Sequence, residues 1–449
     1  MIEVVFMLMF FASTIVWECY NIRKKGRFLI INFFGFMYGL TYGLLPALVI
    51  IYNKLWNIDL SHLYYRIDYS NEGLNRIVTW FICAIIAYIF IQIFYYKLSF
   101  FRKRNYQYVF QDQTDSYDLF VRRFQVLLLI CLPIGIVSMY LWTLAYGGIF
   151  NLIMIADLVR DGKGDVNNSI AFFMRPAKLV LATTYMSLFL IKKGYKVYLN
   201  SILFAISFVA SVLLLLALDG RLGMVTYIIA VILIMLGFFE SKSFSLRRIV
   251  ILTVLALFAF YLIMKMDEIT FFIRASSWGG VKTYSDPFYI KTLMEFSYII
   301  TGSQNAVQML ETSSIPYLLW DDIKTAFFAW LPSSMKPSDL VNVWTYNTIL
   351  CTTTKHVYGQ LPCDFITTSL YDLGIFGPIV FSAFWGKIML FFDELYIRKH
   401  SMMYDVAYIA LTLSFIRRVN YCLLYDFVLG LFYICLAYGF WLICKRRIV

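Results

Sequence analysis

The chain has 449 residues, of which 61% are hydrophobic and 15% are charged, and its formal net charge is +12. This composition excludes an ordinary soluble domain, in which roughly 25% of residues are charged. Its continuous apolar runs of about 20 residues are typical of transmembrane helices rather than of the alternating strands of a barrel. Most basic residues lie in short loops between these runs, so the charge indicates membrane topology and not a nucleic-acid surface.

Eleven apolar runs are candidate membrane spans. In chain order they cover roughly residues 2–20, 28–52, 77–96, 124–146, 171–191, 197–218, 222–239, 249–266, 366–392, 402–417 and 421–443. The first run lacks the basic start and small-residue cleavage site of a signal peptide, so we expect it to be retained. The predicted fold is therefore an all-α, polytopic membrane helical bundle with about eleven spans, which occupies residues 1–449 as one domain.

The connections between spans differ in charge from one side to the other. Alternate connections, from the turn at Arg23–Arg27 to the tail at Lys445–Arg447, hold most of their Lys and Arg residues in short turns. The positive-inside rule places this set in the cytoplasm. The N-terminus and the segment Asp267–Asp364 are then expected outside, and the C-terminus inside. The inverted topology is the alternative.

The segment Asp267–Asp364 is predicted to be one large, helical extracytoplasmic loop between the eighth and ninth spans. A loop this long in a compact chain is usually functional or disordered, and its aromatic residues and prolines favour a folded structure. Ser303 and the pair Asp321–Asp322 are predicted helix N-caps. After the second cap, apolar spacing predicts a helix on the membrane surface or one packed on the bundle; the stripe consists of Ile323, Phe327 and Trp330.

Two cysteines of this segment, Cys351 and Cys363, would face an oxidising compartment in the predicted topology. Their separation allows a disulfide between them, and free thiols are the alternative. The other cysteines lie in or near apolar runs, which is typical of small buried side chains.

Several basic residues lie near the predicted outer face, where the topological bias disfavours positive charge. They are Arg175, Lys178, Arg221, Arg274, Arg417 and Arg418. A guanidinium presents a planar set of donors that suits phosphate and stays protonated. We predict that these side chains converge and bind a lipid-linked diphosphate, with Arg221, Arg274, Arg417, Arg418 and Arg175 as the binding set. Pairing with local carboxylates, or contact with ordinary phospholipid, is the alternative.

A general base in the same segment would activate a hydroxyl group. His356 and Asp339 are the predicted catalytic residues, with Asp372 and Glu295 as further candidates, because imidazole and carboxylate groups accept protons near neutral pH. A structural role for a lone loop histidine is the alternative. No phosphate-binding GxxxxGK[ST] loop, HExxH, GxSxG or clustered His/Cys motif is present in the sequence, so we expect neither a metal nor a cofactor.

Three stretches resemble the Wzy-type polymerases of bacterial O-antigen and capsule repeat units, as does the hydropathy profile with one large outer loop before the last helices. They are "DGRLGMV", "FFAWLPSSMKPSDLVN" and "GQLPCDFITTSLYDLGIFGPIV". Arg417 also stands near the outer end of the penultimate span, where this family often has an arginine. Asp372 departs from the family pattern, because a glutamate is more usual there.

The resemblance implies a membrane glycosyltransferase of the bacterial cytoplasmic (inner) membrane. At the outer face it would join oligosaccharide repeat units linked to undecaprenyl diphosphate into O-antigen, capsule or a related polysaccharide. The implied partners are these lipid-linked oligosaccharides, the bilayer, a chain-length regulator and a flippase, and no nucleic acid. The glycosyl-diphosphate bond supplies the energy. An O-antigen ligase that transfers glycan to the lipid A core, and a lipid-linked oligosaccharide flippase, are the alternatives.

Overall fold

The computed structural model is all-α in the part of the chain that it describes. That part comprises residues 2–62, 65–96, 114–156, 169–218, 221–235, 287–331, 341–351, 360–398 and 402–447, with single positions 159, 250, 251, 254, 257, 258, 261, 335 and 337. The all-helical class predicted from the apolar runs is therefore confirmed for these residues.

The helices before residue 240 are α1 Ile2–Lys25, α2 Ile30–Gly39, α3 Leu45–Trp56, α4 Asn71–Tyr96, α5 Thr114–Leu144, α6 Ile149–Met154, α7 Met174–Ala177, α8 Leu179–Lys192, α9 Val197–Ala217 and α10 Arg221–Met235. Those after residue 280 are α11 Phe288–Phe296, α12 Tyr298–Glu311, α13 Leu319–Phe327, α14 Val343–Cys351, α15 Phe365–Leu373, α16 Gly377–Arg398, α17 Met402–Arg418 and α18 Leu424–Arg447. A π-helical turn, Leu40–Leu44, joins α2 to α3, and the two together make one long apolar helix.

Seven of the eleven predicted spans coincide with helices that are long and apolar enough to cross a bilayer. They are Ile2–Lys25, Ile30–Trp56, Asn71–Tyr96, Leu119–Leu144, Val197–Ala217, Phe365–Ile397 and Leu424–Cys444. The described part of the chain therefore belongs to a multi-pass membrane protein. The total of about eleven spans stays a prediction, and most of the predicted span 249–266 lies outside the described residues.

The predicted span 171–191 is not one continuous helix. It consists of a 3₁₀ turn at Ser169–Phe173, the single turn α7 and the 14-residue α8. Pro176 cannot donate a backbone hydrogen bond, and the charged Arg175 and Lys178 flank it, so this stretch departs from a regular membrane helix where its polar groups lie.

Residues 287–364, which we call the intervening segment, contribute to the same hydrophobic core as the bundle. Ile300 and Val307 of α12 and Val343 of α14 lie in one buried cluster with Phe34 and Trp80 of the membrane helices. α12 packs on α4 and on α15, and α13 packs on α18. The described helices of this segment are therefore fixed by core packing.

The predicted helix after Asp321–Asp322 is present as α13, but it begins at Leu319, so the two aspartates lie in its first turn. Ser303 lies inside α12, whose N-cap is Ser297. Both predicted N-caps were therefore wrong in position: the N-caps are Ser297 and Leu318, so each helix begins before the predicted polar residue. The predicted stripe Ile323, Phe327 and Trp330 is exposed. Asp322 and Ala326, on the adjacent face of the helix, are buried.

The helix is interrupted between α15 and α16, within the membrane-length stretch Phe365–Ile397. Gly374 has a φ of +62°, which favours glycine, and a 3₁₀ turn follows at Gly374–Phe376. A Cβ atom on Gly377 would overlap the carbonyl group of Ser369. The two glycines thus allow α16 to start directly against the backbone of α15.

Cys351 and Cys363 are both buried, free thiols, so the structure does not join them in the candidate disulfide. The Cys351 sulfur lies 3.0 Å from Asn305 Nδ2 and 3.2 Å from Asn347 Oδ1, and Cys363 faces the carbonyl of Val343 at 3.9 Å. Burial raises the pKa of the Cys351 thiol to about 12, which disfavours the reactive thiolate.

Candidate functional site: a buried cationic cluster

Four basic side chains from two helices and one short linker lie close to the carboxylate of Asp426, which a third helix provides. We call this set the cationic cluster; its members in the described chain are Arg175 of α7, Lys178 between α7 and α8, Arg417 and Arg418 of α17, and Asp426 of α18. Arg417 Nη2 lies 3.6 Å and Arg418 Nη2 3.7 Å from Asp426 Oδ2. The charge of Lys178 acts on Asp426, Arg417 and Arg175. The set therefore combines four basic groups with one carboxylate: three of the basic groups act on Asp426, and Arg175 lies next to Lys178.

The short turn between α17 and α18 brings three of these residues together. Phe365 N donates to Val419 O at 3.0 Å, and Cys422 N donates to Cys363 O at 2.7 Å, so this turn pairs with the chain that leads into α15. Arg417 and Asp426 flank the turn on the two helices that it joins.

Arg418 is the most buried member of the cationic cluster, with its side chain 3% exposed. Its Nε donates to Ser414 O at 3.3 Å and its Nη1 donates to Leu423 O at 2.9 Å. Two carbonyl groups and one carboxylate thus satisfy its guanidinium group. Arg418 therefore holds the turn in place, and it contributes its charge without an unpaired donor.

Arg175 connects the cationic cluster to the intervening segment. Its Nη2 donates to Leu331 O at 2.7 Å, its guanidinium lies 5.1 Å from the ring centre of Phe172, and it interacts with the hydroxyl of Tyr425. The residue is 7% exposed, and its Nη1 has no hydrogen-bond partner.

Arg417 has a similar deficit. Its guanidinium carbon lies 5.3 Å from the ring centre of Tyr421, its side chain is 40% exposed, and its buried Nε has no hydrogen-bond partner. An unpaired buried donor on a charged group costs at least 1–3 kcal/mol. Arg175 and Arg417 thus present two unpaired donors within a set of like charges, which is the arrangement that an anionic ligand would complete.

Two other deeply buried carboxylates, Glu18 and Asp393, do not share this deficit. Glu18 accepts from Tyr88 OH at 2.6 Å, Asn32 Nδ2 at 2.8 Å and Gln92 Nε2 at 3.0 Å. Asp393 accepts from Tyr408 OH at 2.6 Å, Tyr95 OH at 2.5 Å and Ile30 N at 3.0 Å. These two networks connect helices with their donors and acceptors matched, so we interpret them as structural.

Two further buried aspartates lie where α13 of the intervening segment packs on α15. Asp322 of α13 accepts from Val343 N at 3.0 Å, while its Oδ2 has no partner. Asp372 of α15 is also buried, has an unpaired Oδ1, and its charge acts on that of Asp322. Burial raises the pKa of Asp322 to about 7, with Asp321 adding to the shift and the bond from Val343 opposing it. Near neutral pH, Asp322 therefore holds its proton more tightly than an exposed aspartate does.

The predicted site residues are therefore placed as follows. The structure brings Arg175, Arg417 and Arg418 together with Lys178. Arg221 begins α10, and its side chain lies outside the described part of the chain. Arg274, Asp339 and His356 also lie outside the described residues. Glu295 is on the exposed face of α11, where its charge acts on Tyr65.

Sequence reasoning missed Asp426 and Tyr425. The signal that would have found Asp426 is its position after a short turn: two arginines end one helix, and a carboxylate follows in the first turn of the next. Such residues face each other across a helical hairpin.

Within the described chain, no group of three or more His, Cys, Asp and Glu side chains forms a metal-binding arrangement. Comparison with known proteins found no relative: the chain matches no protein-family model, no curated protein and no solved structure at a significant level.

Proposed function

We propose that the protein is a membrane glycosyltransferase that joins oligosaccharide repeat units carried on undecaprenyl diphosphate, at the outer face of the bacterial cytoplasmic membrane. The observation that supports this proposal is the cationic cluster with its two unpaired donors, Arg175 Nη1 and Arg417 Nε. A set of cations with unused donors beside a candidate membrane span suits an anionic lipid head group, and the sequence resemblance supplies the reaction class.

The reaction breaks the bond between the anomeric carbon of the donor glycan and the diphosphate oxygen. A hydroxyl oxygen of the acceptor forms the new bond to that carbon, and its proton passes to a base. The electron pair of the broken bond leaves with undecaprenyl diphosphate. Positive groups that are fixed before the reaction stabilise this growing negative charge without reorganisation. Arg175, Lys178 and Arg417 would stabilise the leaving diphosphate, and Arg418 would hold the turn that carries Arg417.

The base in this proposal comes from the intervening segment, with His356 and Asp339 as its candidates. Arg221 and Arg274 remain proposed members of the diphosphate-binding set. The energy of the donor bond makes a nucleotide or redox cofactor unnecessary for this chemistry.

Deleting the gene and separating the surface glycan on a gel tests the class of function. A product with a single repeat supports the polymerase, while complete absence of repeats would indicate a flippase. Long polymer that is not attached to lipid A core would indicate a ligase. The first result is the one that we expect.

Point variants then test the site. Arg417→Ala and Arg175→Ala should abolish long chains at unchanged protein level, since each charged hydrogen bond to phosphate is worth about 1.5–3 kcal/mol, or roughly 10- to 100-fold in affinity. Arg76→Ala is the matched control, because Arg76 pairs with Glu311 at 2.9 Å instead. Wild-type chain lengths in both cluster variants would refute the diphosphate role. His356→Ala and Asp339→Ala in the same strain test the base.

A further inference from the structure

A cavity of about 310 Å³ adjoins the cationic cluster. It lies between the intervening segment and the start of α18, and its lining includes Thr325, Asn342, Trp344, Gln360, Tyr425 and Asp426. Its volume is at the lower end of the range of about 300–1,000 Å³ for small-molecule pockets. The cavity is therefore large enough for a small ligand or for one unit of a larger ligand.

The lining chemistry differs from that of the cationic cluster. The described lining contains no basic side chain, so it does not suit the phosphate groups themselves. It combines two aromatic side chains with two amides, a hydroxyl and a carboxylate. Amides donate and accept hydrogen bonds, and the electron-rich face of Trp344 or Tyr425 attracts the weakly positive C–H groups of an apolar ring face. This combination suits a neutral, hydroxyl-rich ring with one apolar face.

The pocket and the cationic cluster share residues. Asp426 lines the cavity and pairs with both Arg417 and Arg418, and Tyr425 lines it and interacts with Arg175. Only the side chain of Asp426 or Tyr425 therefore separates a ligand in the cavity from the cations. One molecule that fills both places has a hydroxyl-rich ring attached directly to an anionic group.

Several lining side chains are held in place by a second contact. Asn342 Oδ1 accepts from Thr345 N at 2.8 Å and so caps α14. Gln360 Nε2 donates to Thr345 Oγ1 at 2.9 Å, and Trp344 Nε1 donates to Cys422 O at 3.1 Å. Such secondary contacts fix a site before the ligand arrives, which lowers the entropy cost of binding.

We propose that this cavity binds the sugar residue that is bonded directly to the diphosphate of the lipid-linked substrate. The inference rests on the proposed function and adds the position of the sugar: the ring lies between Trp344, Gln360 and Asp426, and the diphosphate lies on the cationic cluster.

A pocket-filling variant tests the inference. Gln360 is exposed, so Gln360→Trp is expected to fold while its indole occupies the cavity. The matched control is Gln308→Trp, at an exposed position of α12 away from the cavity lining. Both full-length variants are expressed in the deletion strain to measure surface polymer, and are purified in nanodiscs to measure the shift of the thermal midpoint by inorganic pyrophosphate.

We expect Gln360→Trp to reduce polymer by more than about 10-fold, because an overfilled pocket excludes the ring, and to keep the wild-type pyrophosphate shift. Gln308→Trp should match the wild type in both assays. Asn342→Asp, which keeps a capping oxygen for α14 but replaces the amide donor, should also reduce polymer. Wild-type polymer in Gln360→Trp would overturn the sugar position and leave the proposed function intact. Loss of its pyrophosphate shift would also overturn the inference, because the two subsites would not be separate. Wild-type polymer in the cluster variants would refute the proposed function itself.

Discussion

Replacing Asp426 by Asn removes the negative charge at the centre of the cationic cluster while preserving the shape of the side chain. At 3.6 and 3.7 Å, each arginine–carboxylate attraction is about 4–5 kcal/mol at an effective dielectric constant of about 20. Because Arg417 is partly exposed, water screens its attraction to Asp426 and reduces its contribution to stability. Arg418 is buried but keeps two carbonyl acceptors in the variant, so the variant leaves it less destabilised than an isolated buried charge.

We therefore expect Asp426→Asn to lower the free energy of unfolding by about 3 kcal/mol, the lower end of the range for a broken buried ion pair. With about 2 cal/mol/K of unfolding entropy per residue, this corresponds to a thermal midpoint about 3 °C lower. Inorganic pyrophosphate should raise the midpoint of the variant more than that of the wild type, since the added anion replaces the missing charge and binding to the folded state stabilises it.

The assay is thermal denaturation of the purified protein in nanodiscs at pH 7.5, with and without pyrophosphate. Asp321→Asn is the control: Asp321 pairs with Lys324 at 3.2 Å, but both side chains are largely exposed, so its effect should stay below about 1 kcal/mol and should not depend on pyrophosphate. Equal midpoints for Asp426→Asn and the wild type, or equal pyrophosphate shifts, would refute the electrostatic reasoning.

Two further substitutions test features that surround the site. The raised pKa of Asp322, about 7, means that the folded state holds this proton more tightly than the unfolded state, so wild-type stability falls as pH rises from about 4 through 7. The thermal midpoint of Asp322→Asn should therefore depend less on pH between pH 5 and 8, and at pH 8 it should be higher than that of the wild type. Parallel curves of midpoint against pH would contradict this. Gly377→Ala should lower the free energy of unfolding by about 1–3 kcal/mol or more, because its Cβ would overlap the Ser369 carbonyl. The control Gly439→Ala, whose Cβ would have no neighbour within 4 Å, should be neutral or slightly stabilising. Similar thermal midpoints for the two variants would show that the close helix approach is not rigid.

The long membrane helices were predictable from the sequence because each depends on a local property, a continuous apolar run. The break at Arg175–Lys178 was not, although the sequence contains both the charges and Pro176. The apolar residues on either side raise the mean hydropathy of the stretch, which conceals the break. Whether such a stretch stays helical depends on what lies beside its polar groups, here Leu331 and Asp426, which are distant in sequence.

The candidate site was predictable in part for the same reason. Positive charge on the predicted outer side identified Arg175, Arg417 and Arg418 without any knowledge of contacts. Asp426 was missed because an aspartate in the first turn of a helix is common and favourable by itself. Its relation to the arginines arises from the turn between α17 and α18, and the cavity arises from the approach of α13 and α14 to α18. Neither approach has a signature in the local sequence.

The balance of charge in the cationic cluster also bears on the kind of anion that it suits. The four basic groups of the cluster repel each other, and burial strengthens that repulsion because the surroundings screen it less than water does. A protein selected for stability alone would replace such a group with apolar residues, so its presence indicates a function that offsets the cost. Asp426 neutralises one charge and leaves three. A ligand with a single negative charge would leave two of them unbalanced. The lipid-linked sugar diphosphate of the proposed reaction carries two negative charges, the undecaprenyl diphosphate that leaves carries up to three, and either has enough oxygens to accept from both unpaired donors.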